Sequence, residues 1–179
     1  MKKIVFFLTA IILCFSISAC GAKDPAVPAD PADSVTISVP AELAGITSEK
    51  DLKDQFSGDG YLDARLTDEG VVLLTMTREK HTALVADTER SIRESLDAMT
   101  AAEDNRFTKI EVNGDFTHYT VYLPGEELQP GENFYTISLL FSSDLYYVVL
   151  GQEVPEVTVD YVNELSGEVI YTYPETAEG

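Results

Sequence analysis

The feature that most constrains the fold is an apolar stripe along residues 78–102. Apolar or small side chains recur there at steps of three and four residues, which is the spacing of one face of an α-helix. The stripe consists of Leu84, Thr88, Ile92, Leu96 and Met99, widened by Val85, and the opposite side carries Arg90, Arg93, Glu94 and Asp97. Because an amphipathic helix has to bury its apolar face, this segment predicts a long helix that packs on a sheet.

Three pairs of alternating, β-branched segments supply that sheet. Each pair is separated by a short turn signal, and Asn113-Gly114 in the second pair is the strongest two-residue hairpin signal a sequence offers. The pairs are 61–66 with 71–77, 107–112 with 116–123, and 157–162 with 169–173. In the first pair we expect Leu62, Ala64 and Leu66 to share a face with Val72, Leu74 and Met76. Three hairpins in succession predict an antiparallel sheet.

Two shorter elements complete the predicted order. Residues 35–39 alternate apolar and polar side chains up to Pro40, which predicts a strand. Thr47 or Ser48 is placed to cap a short helix that extends to about Phe56, with Asp51 in a capping-box position three residues after Ser48.

The segment 133–150 is open to two interpretations. Its aromatic and β-branched content indicates strands with a turn at Ser142-Ser143-Asp144, whereas its length without Gly or Pro favours a helix. A stripe of apolar side chains at helical spacing favours the helix. Its members are Phe134, Ile137, Phe141, Leu145 and Val148.

The expected fold class is therefore α+β, with a two-layer antiparallel sheet built from hairpins. The long amphipathic helix and the second helix are expected on one face of that sheet. A single domain is predicted over residues 35–174, followed by a frayed acidic tail at 175–179. This length is sufficient for one hydrophobic core.

The N-terminal residues predict export and lipidation. Lys2 and Lys3 precede an apolar core at 4–17 that is shorter than the ~20 residues of a membrane span. Ile17-Ser18-Ala19-Cys20 resembles the lipobox of bacterial lipoproteins. This resemblance implies cleavage between Ala19 and Cys20, removal of residues 1–19 as a signal peptide, and a diacylglycerol on the sulfur of Cys20. Residues 20–34 are then the lipidated cysteine and an extended tether rich in Pro, Ala and Asp.

Charge narrows the choice of partners. The chain has a formal net charge of −19, which becomes −21 once Lys2 and Lys3 leave with the signal peptide. Nucleic acid is excluded as a partner because phosphate binding needs a basic surface. Anionic lipid would also repel the protein, so the anchor on Cys20 is expected to hold it at the extracytoplasmic face of the cell membrane.

No motif points to catalysis or to a cofactor. The sequence lacks nucleophile-elbow, S-x-x-K and phosphate-loop patterns. His81 is expected to be solvated in the first turn of the long helix, and His118 to lie on a sheet face. The dense acids Asp59, Asp63, Asp68 and Glu69 miss the calcium-loop pattern. We therefore expect a protein that is not an enzyme and that holds no metal or cofactor.

The eight tyrosines between 119 and 173 are expected to pack in the core, although an exposed tyrosine platform would bind a glycan or a peptide.

Four segments within residues 35–171 resemble a group of small, uncharacterised Gram-positive lipoproteins. The segments are VTISVPAEL, REKHTAL, DFTHYTVYL and VTVDYVNELSGEVI. That resemblance implies the anchor and the order of elements, but no activity.

Three functions remain after this reading of the sequence. The favoured one is a non-enzymatic binding module for a protein, a peptide or an envelope component, which predicts an exposed tyrosine or apolar patch on the sheet or the last helix. The alternatives are a structural or stress lipoprotein of the envelope without a small ligand, and a hydrolase that uses carboxylates or His81.

Overall fold

The structure is a computed structural model that describes residues 33–102 and 105–175. The predicted signal peptide, the cleavage site at Ala19 and Cys20, and almost all of the tether lie outside these residues, as does most of the acidic tail. The strands are β1 (Ser34–Pro40), β2 (Tyr61–Leu66), β3 (Val71–Thr77), β4 (Lys109–Val112), β5 (His118–Leu123), β6 (Thr158–Asn163) and β7 (Val169–Tyr173). The helices are α1 (Glu49–Gln55), α2 (Arg78–Thr100) and α3 (Tyr135–Leu150), and a 3₁₀ turn at Glu132–Phe134 leads into α3.

The α+β class is confirmed, and so are the three hairpins. Their arrangement differs from the single antiparallel sheet that the sequence predicts. The strands form a three-stranded sheet in the order β1-β3-β2 and a four-stranded sheet in the order β4-β5-β6-β7, in which β5 and β6 are parallel. A turn signal specifies which two strands form a hairpin, but it says nothing about which hairpins share a sheet.

The chain divides into two compact units. The first contains the residues up to Thr88 together with Val148–Gln152, and the second contains Glu89–Tyr147 and the residues from Glu153 onward. Helices α2 and α3 therefore contribute residues to both. The expectation of one domain over residues 35–174 stays a prediction.

The first unit is built on the β1-β3-β2 sheet. Strand β3 alternates buried and half-buried residues, so Val72, Leu74 and Met76 face the core. Ala64 and Leu66 pair with Leu74 and Val72 as predicted. Leu62 does not join them, because a bulge between Tyr61 and Asp63 leaves it 46% exposed and gives its place opposite Met76 to Tyr61.

Helix α1 begins as the sequence predicts. The Ser48 hydroxyl accepts a hydrogen bond from the Asp51 amide, and the Asp51 carboxylate accepts bonds from the hydroxyls of Thr47 and Ser48. These hydrogen bonds lower the pKa of Asp51 below its ordinary value, the bond from Thr47 contributing most. The helix buries Leu52 in the first unit.

Helix α2 confirms the stripe that the sequence predicts. Leu84, Thr88, Ile92, Leu96 and Met99 are all buried. The four charged residues of the opposite face are exposed. Thr88 fits into this apolar stripe because its hydroxyl donates to the carbonyl of Leu84 in the preceding turn, so that no polar atom is left without a partner.

Residues 135–150 form a helix, as favoured, and the apolar stripe of the sequence lies on its less buried side. The exposed fraction is 66% for Phe134 and 62% for Ile137, and Phe141, Leu145 and Val148 are only half-buried. The buried side of α3 carries Thr136, Leu139, Ser142, Ser143, Tyr146, Tyr147 and Val149.

The other side of α3 is buried although it is rich in hydroxyls, because most of these hydroxyls have partners elsewhere in the second unit. The Ser143 hydroxyl donates to the carbonyl of Phe116 (2.6 Å) and lies 3.1 Å from the hydroxyl of Tyr119. Thr136 pairs with the hydroxyl of Tyr161 at 2.9 Å, and Tyr147 donates to the carbonyl of Asp115. Polar side chains that are hydrogen-bonded in this way can be buried, so apolar periodicity alone does not identify the buried face of α3.

Candidate functional site

The parallel pairing of β5 and β6 brings two connections together at one edge of the four-stranded sheet. Both strands point the same way, with α3 in the crossover between them, so their carboxyl ends meet. The loop at 124–131 follows β5 and the turn at 164–168 follows β6. The amide of Glu164 donates to the carbonyl of Leu123 (3.0 Å), which joins the two directly. We call these two connections the carboxyl edge, a common location of binding sites in sheets with parallel strands.

Asn163, the last residue of β6, holds both connections in place. Its side-chain nitrogen donates to the carbonyl of Gly125 (2.6 Å), while its side-chain oxygen accepts from the amides of Leu165 and Ser166 at 2.8 Å each. The residue is only 7% exposed, so these bonds form in a mostly dry environment. One amide side chain therefore fixes the loop and the turn relative to each other.

Arg106 fixes the loop from the other side. Its guanidinium donates to the carbonyl of Pro124 (3.0 Å), and its Nε lies 3.0 Å from Glu132 Oε1 in an ion pair that falls outside hydrogen-bond geometry. The second oxygen of Glu132 accepts from the amide of Gln129 at 2.7 Å. Both charges are therefore committed to contacts within the protein, and Arg106 gives the carboxyl edge no cation for a ligand.

Exposed apolar side chains lie at this edge and along the helix that starts from it. Leu165, in the turn, is 90% exposed. Phe134 and Ile137 begin a stripe that continues along α3 through the half-buried Phe141 and Leu145. We call these four residues the outer face of α3. Large apolar side chains grouped in this way, rather than scattered singly, are typical of interaction surfaces.

The part of the chain that carries this surface is acidic. Lys109 is the last lysine or arginine of the chain, and residues 110–179 contain 13 acidic residues. Glu126, Glu127, Glu164 and Glu168 are exposed at the carboxyl edge, and within the described ranges their side chains form no hydrogen bond or ion pair. On α3 the one charged side chain is the exposed Asp144. The surface is thus apolar and acidic together.

His118 lies on the open face of the four-stranded sheet, where the sequence places it. Its Nε2 is 2.8 Å from Asp160 Oδ2, and the Thr172 hydroxyl donates to the other oxygen of Asp160 at 2.6 Å. A catalytic triad would need the hydroxyl bonded to the imidazole. Here the carboxylate lies between them, so this cluster ties β5, β6 and β7 together. The sequence alone did not identify Asp160, because its proximity to His118 depends on the parallel pairing of β5 with β6.

The expectation for His81 is wrong. Instead of being solvated, His81 is half-buried, and its Nε2 donates to the carbonyl of Val149 at 2.8 Å. That carbonyl belongs to the last turn of α3, where helical carbonyls lack a partner within the helix. His81 therefore satisfies a helix end in the first unit.

Two of the four dense acids near β2 are held in ion pairs, whereas Asp68 and Glu69 are exposed in the turn after the strand. Asp59 pairs with Lys80 (3.2 Å) and Asp63 with Arg65 (2.6 Å). Across residues 33–102 and 105–175, no three His, Cys, Asp or Glu side chains gather in a way that would hold a metal ion.

Four of the eight tyrosines between 119 and 173 are buried, as the packing interpretation predicts, whereas Tyr173 is 37% exposed. Tyr119 and Tyr161 are fully buried, and Tyr146 and Tyr147 are 8% exposed. Burial raises the pKa of Tyr119 to about 12, against the opposing effect of its hydrogen bond with Ser143. Burial likewise raises the pKa of Tyr161. Phe134, which is 66% exposed, lies in the 3₁₀ turn that leads into the last helix.

No described helix has the length and hydropathy needed to cross a membrane. Lipidation at Cys20 stays a prediction, since that residue lies outside the described part of the chain. Comparison of the chain with protein-family models, with curated proteins and with solved structures finds no match.

Proposed function

We propose that this protein is a lipid-anchored, extracytoplasmic binding module without enzymatic activity, and that it docks a partner protein or peptide on the outer face of α3. The observation that carries the proposal is the exposure of Phe134 and Ile137. Leaving these two side chains in water forgoes a stabilisation of roughly 1.5–3 kcal/mol for each that burial would provide. The exposed part of these side chains adds nothing to folding, so contact with a partner is the reason we assign to their apolar character.

The anchoring part of the proposal depends on Cys20. Replacing Cys20→Ala should release the protein from the membrane fraction and abolish incorporation of labelled fatty acid. Cys14→Ala is the matched control, because Cys14 lies in the core of the proposed signal peptide. Retention of the Cys20→Ala variant in the membrane fraction would overturn the lipoprotein assignment without affecting the docking surface.

The docking part is tested by a photoreactive phenylalanine analogue placed at position 134 in living cells. We expect discrete crosslinked products to form there, and not when the analogue replaces Leu62, which is also exposed but lies on β2 of the first unit. Equal products from both positions, or none from position 134, would contradict the proposal.

A further inference from the structure

We propose that the partner is a basic amphipathic helix whose apolar side lies on the outer face of α3 and whose lysines or arginines meet the acids of the carboxyl edge. This inference rests on the proposed function and specifies the chemistry of the partner. The shape of the apolar surface and the charges around it support this inference.

The shape favours a helical partner. From Phe134 to Leu145 the outer face extends over about 17 Å at 1.5 Å per residue, which is about three helical turns. Side chains at steps of three and four on an exposed helix form ridges that fit the grooves of a second helix. Amphipathic partner helices present their apolar anchors at the same spacing.

The charges of residues 110–179 favour a basic partner. No lysine or arginine follows Lys109, and Arg106 is committed to Glu132 and to the carbonyl of Pro124. The exposed Glu126, Glu127 and Glu164 therefore have no positive neighbour from residues 110–179. A segment with basic flanks would gain attraction from them and associate faster, whereas an acidic segment would be repelled.

The same charges disfavour two other occupants. A second copy of the chain would bring two acidic edges together, and an anionic bilayer would face the same repulsion. Both remain outcomes that the experiment can detect.

The test uses two designed peptides of about 18 residues with leucines at helical spacing. One carries lysine at every polar position, and its matched control carries glutamate there. The full-length lipidated protein is held in nanodiscs of zwitterionic phosphatidylcholine, with empty nanodiscs as the background, and binding is followed by fluorescence anisotropy of the labelled peptide. We expect the lysine peptide to bind, the glutamate peptide not to bind, and the affinity of the lysine peptide to fall as salt is added.

Variants locate the binding on the protein. Phe134→Ser combined with Ile137→Ser should abolish binding, whereas Leu62→Ser should leave it intact. Glu126→Gln combined with Glu127→Gln should weaken binding about twofold to fivefold per charge removed. The matched control replaces Asp68→Asn and Glu69→Gln, two adjacent exposed acids in the turn between β2 and β3, and should change nothing. Circular dichroism verifies that each variant is folded.

Several results would overturn the inference. Equal binding of both peptides would show docking without charge selection. Binding of neither peptide would exclude a basic helix, and self-association of the protein that disappears with the double serine variant would identify a second copy as the occupant. Binding of the outer face to anionic vesicles would identify a bilayer. In the first two cases a crosslink at position 134 would still support the proposed function, so the failures of the two proposals can be told apart.

Discussion

Helices α2 and α3 differ in the kind of side chain that each buries and the kind that each exposes to solvent. Helix α2 carries charges on its outer side and buries an apolar stripe from Leu84 to Met99. Helix α3 has a single charged residue, buries hydroxyls, and leaves Ile137 exposed in its first turn, next to the exposed Phe134 of the preceding 3₁₀ turn. The sequence of α2 is explained by folding alone. The sequence of α3 is not, because its outer face is apolar where solvent would favour polar side chains.

The buried side of α3 shows that this helix does not need its outer face for packing. The Ser143 hydroxyl bonds to the carbonyl of Phe116 and contacts Tyr119, while Tyr146 packs against Phe116 with ring centroids 4.6 Å apart. These contacts lie within the second unit and anchor α3 to the strand region around β5. The contrast between the two helices therefore separates residues that serve the fold from residues that are available to a partner.

The largest expected difference in the free energy of unfolding is between alanine substitutions of two isoleucines. Ile92 of α2 is fully buried and Ile137 of α3 is 62% exposed. Ile92→Ala should lower the free energy of unfolding by about 2–5 kcal/mol, because it removes buried methyl groups and leaves a cavity. Ile137→Ala should change it by less than about 0.5 kcal/mol, since alanine also favours the helix. Urea denaturation of both variants measures the difference, and equal losses would show that the outer face of α3 is part of the core.

The next expected effect is a loss of stability at alkaline pH. Burial raises the pKa of Tyr119 to about 12, while an unfolded tyrosine has a pKa near 10. The native state therefore holds this proton more tightly, so the stabilisation is complete below about pH 10 and disappears between about pH 10 and 12. The shift corresponds to about 2–3 kcal/mol. Denaturant midpoints measured across this range test the prediction, and a stability independent of pH up to 12 would contradict the burial of Tyr119.

A smaller difference in stability is expected between the removal of two buried hydroxyls, one bonded to other elements and one bonded within its own helix. Ser143→Ala leaves the carbonyl of Phe116 and the hydroxyl of Tyr119 with one partner fewer, which should cost about 1–3 kcal/mol. Thr88→Val should cost less than about 1 kcal/mol, because the hydroxyl of Thr88 bonds only to the carbonyl of Leu84 in its own helix. A double-mutant cycle of Ser143→Ala with Tyr119→Phe isolates their coupling. No coupling would mean that the two hydroxyls do not interact.

Local signals in the sequence predicted the elements well, because each depends on neighbouring residues. Asn113-Gly114 specified the β4–β5 hairpin, and Ser48 with Asp51 specified the start of α1. The register of β2 was predicted except at Leu62, because nothing in that strand signals a bulge.

Long-range pairing could not be predicted in the same way. The parallel contact of β5 with β6 joins strands about forty residues apart, and it alone brings Asn163 to Gly125 and His118 to Asp160. The face that α3 buries could not be predicted for a related reason, because most of the hydroxyls on that face bond to partners far away in the sequence. The carboxyl edge therefore became visible only in the structure.

The central claim is that the outer face of α3 serves a partner and not the fold. The most direct measurement compares the double variant Phe134→Ser with Ile137→Ser against the unchanged protein, recording the free energy of unfolding and the binding of the lysine peptide on the same samples. We predict that the free energy of unfolding changes by less than about 1 kcal/mol and that binding is lost. A large loss of stability with binding retained would contradict the claim.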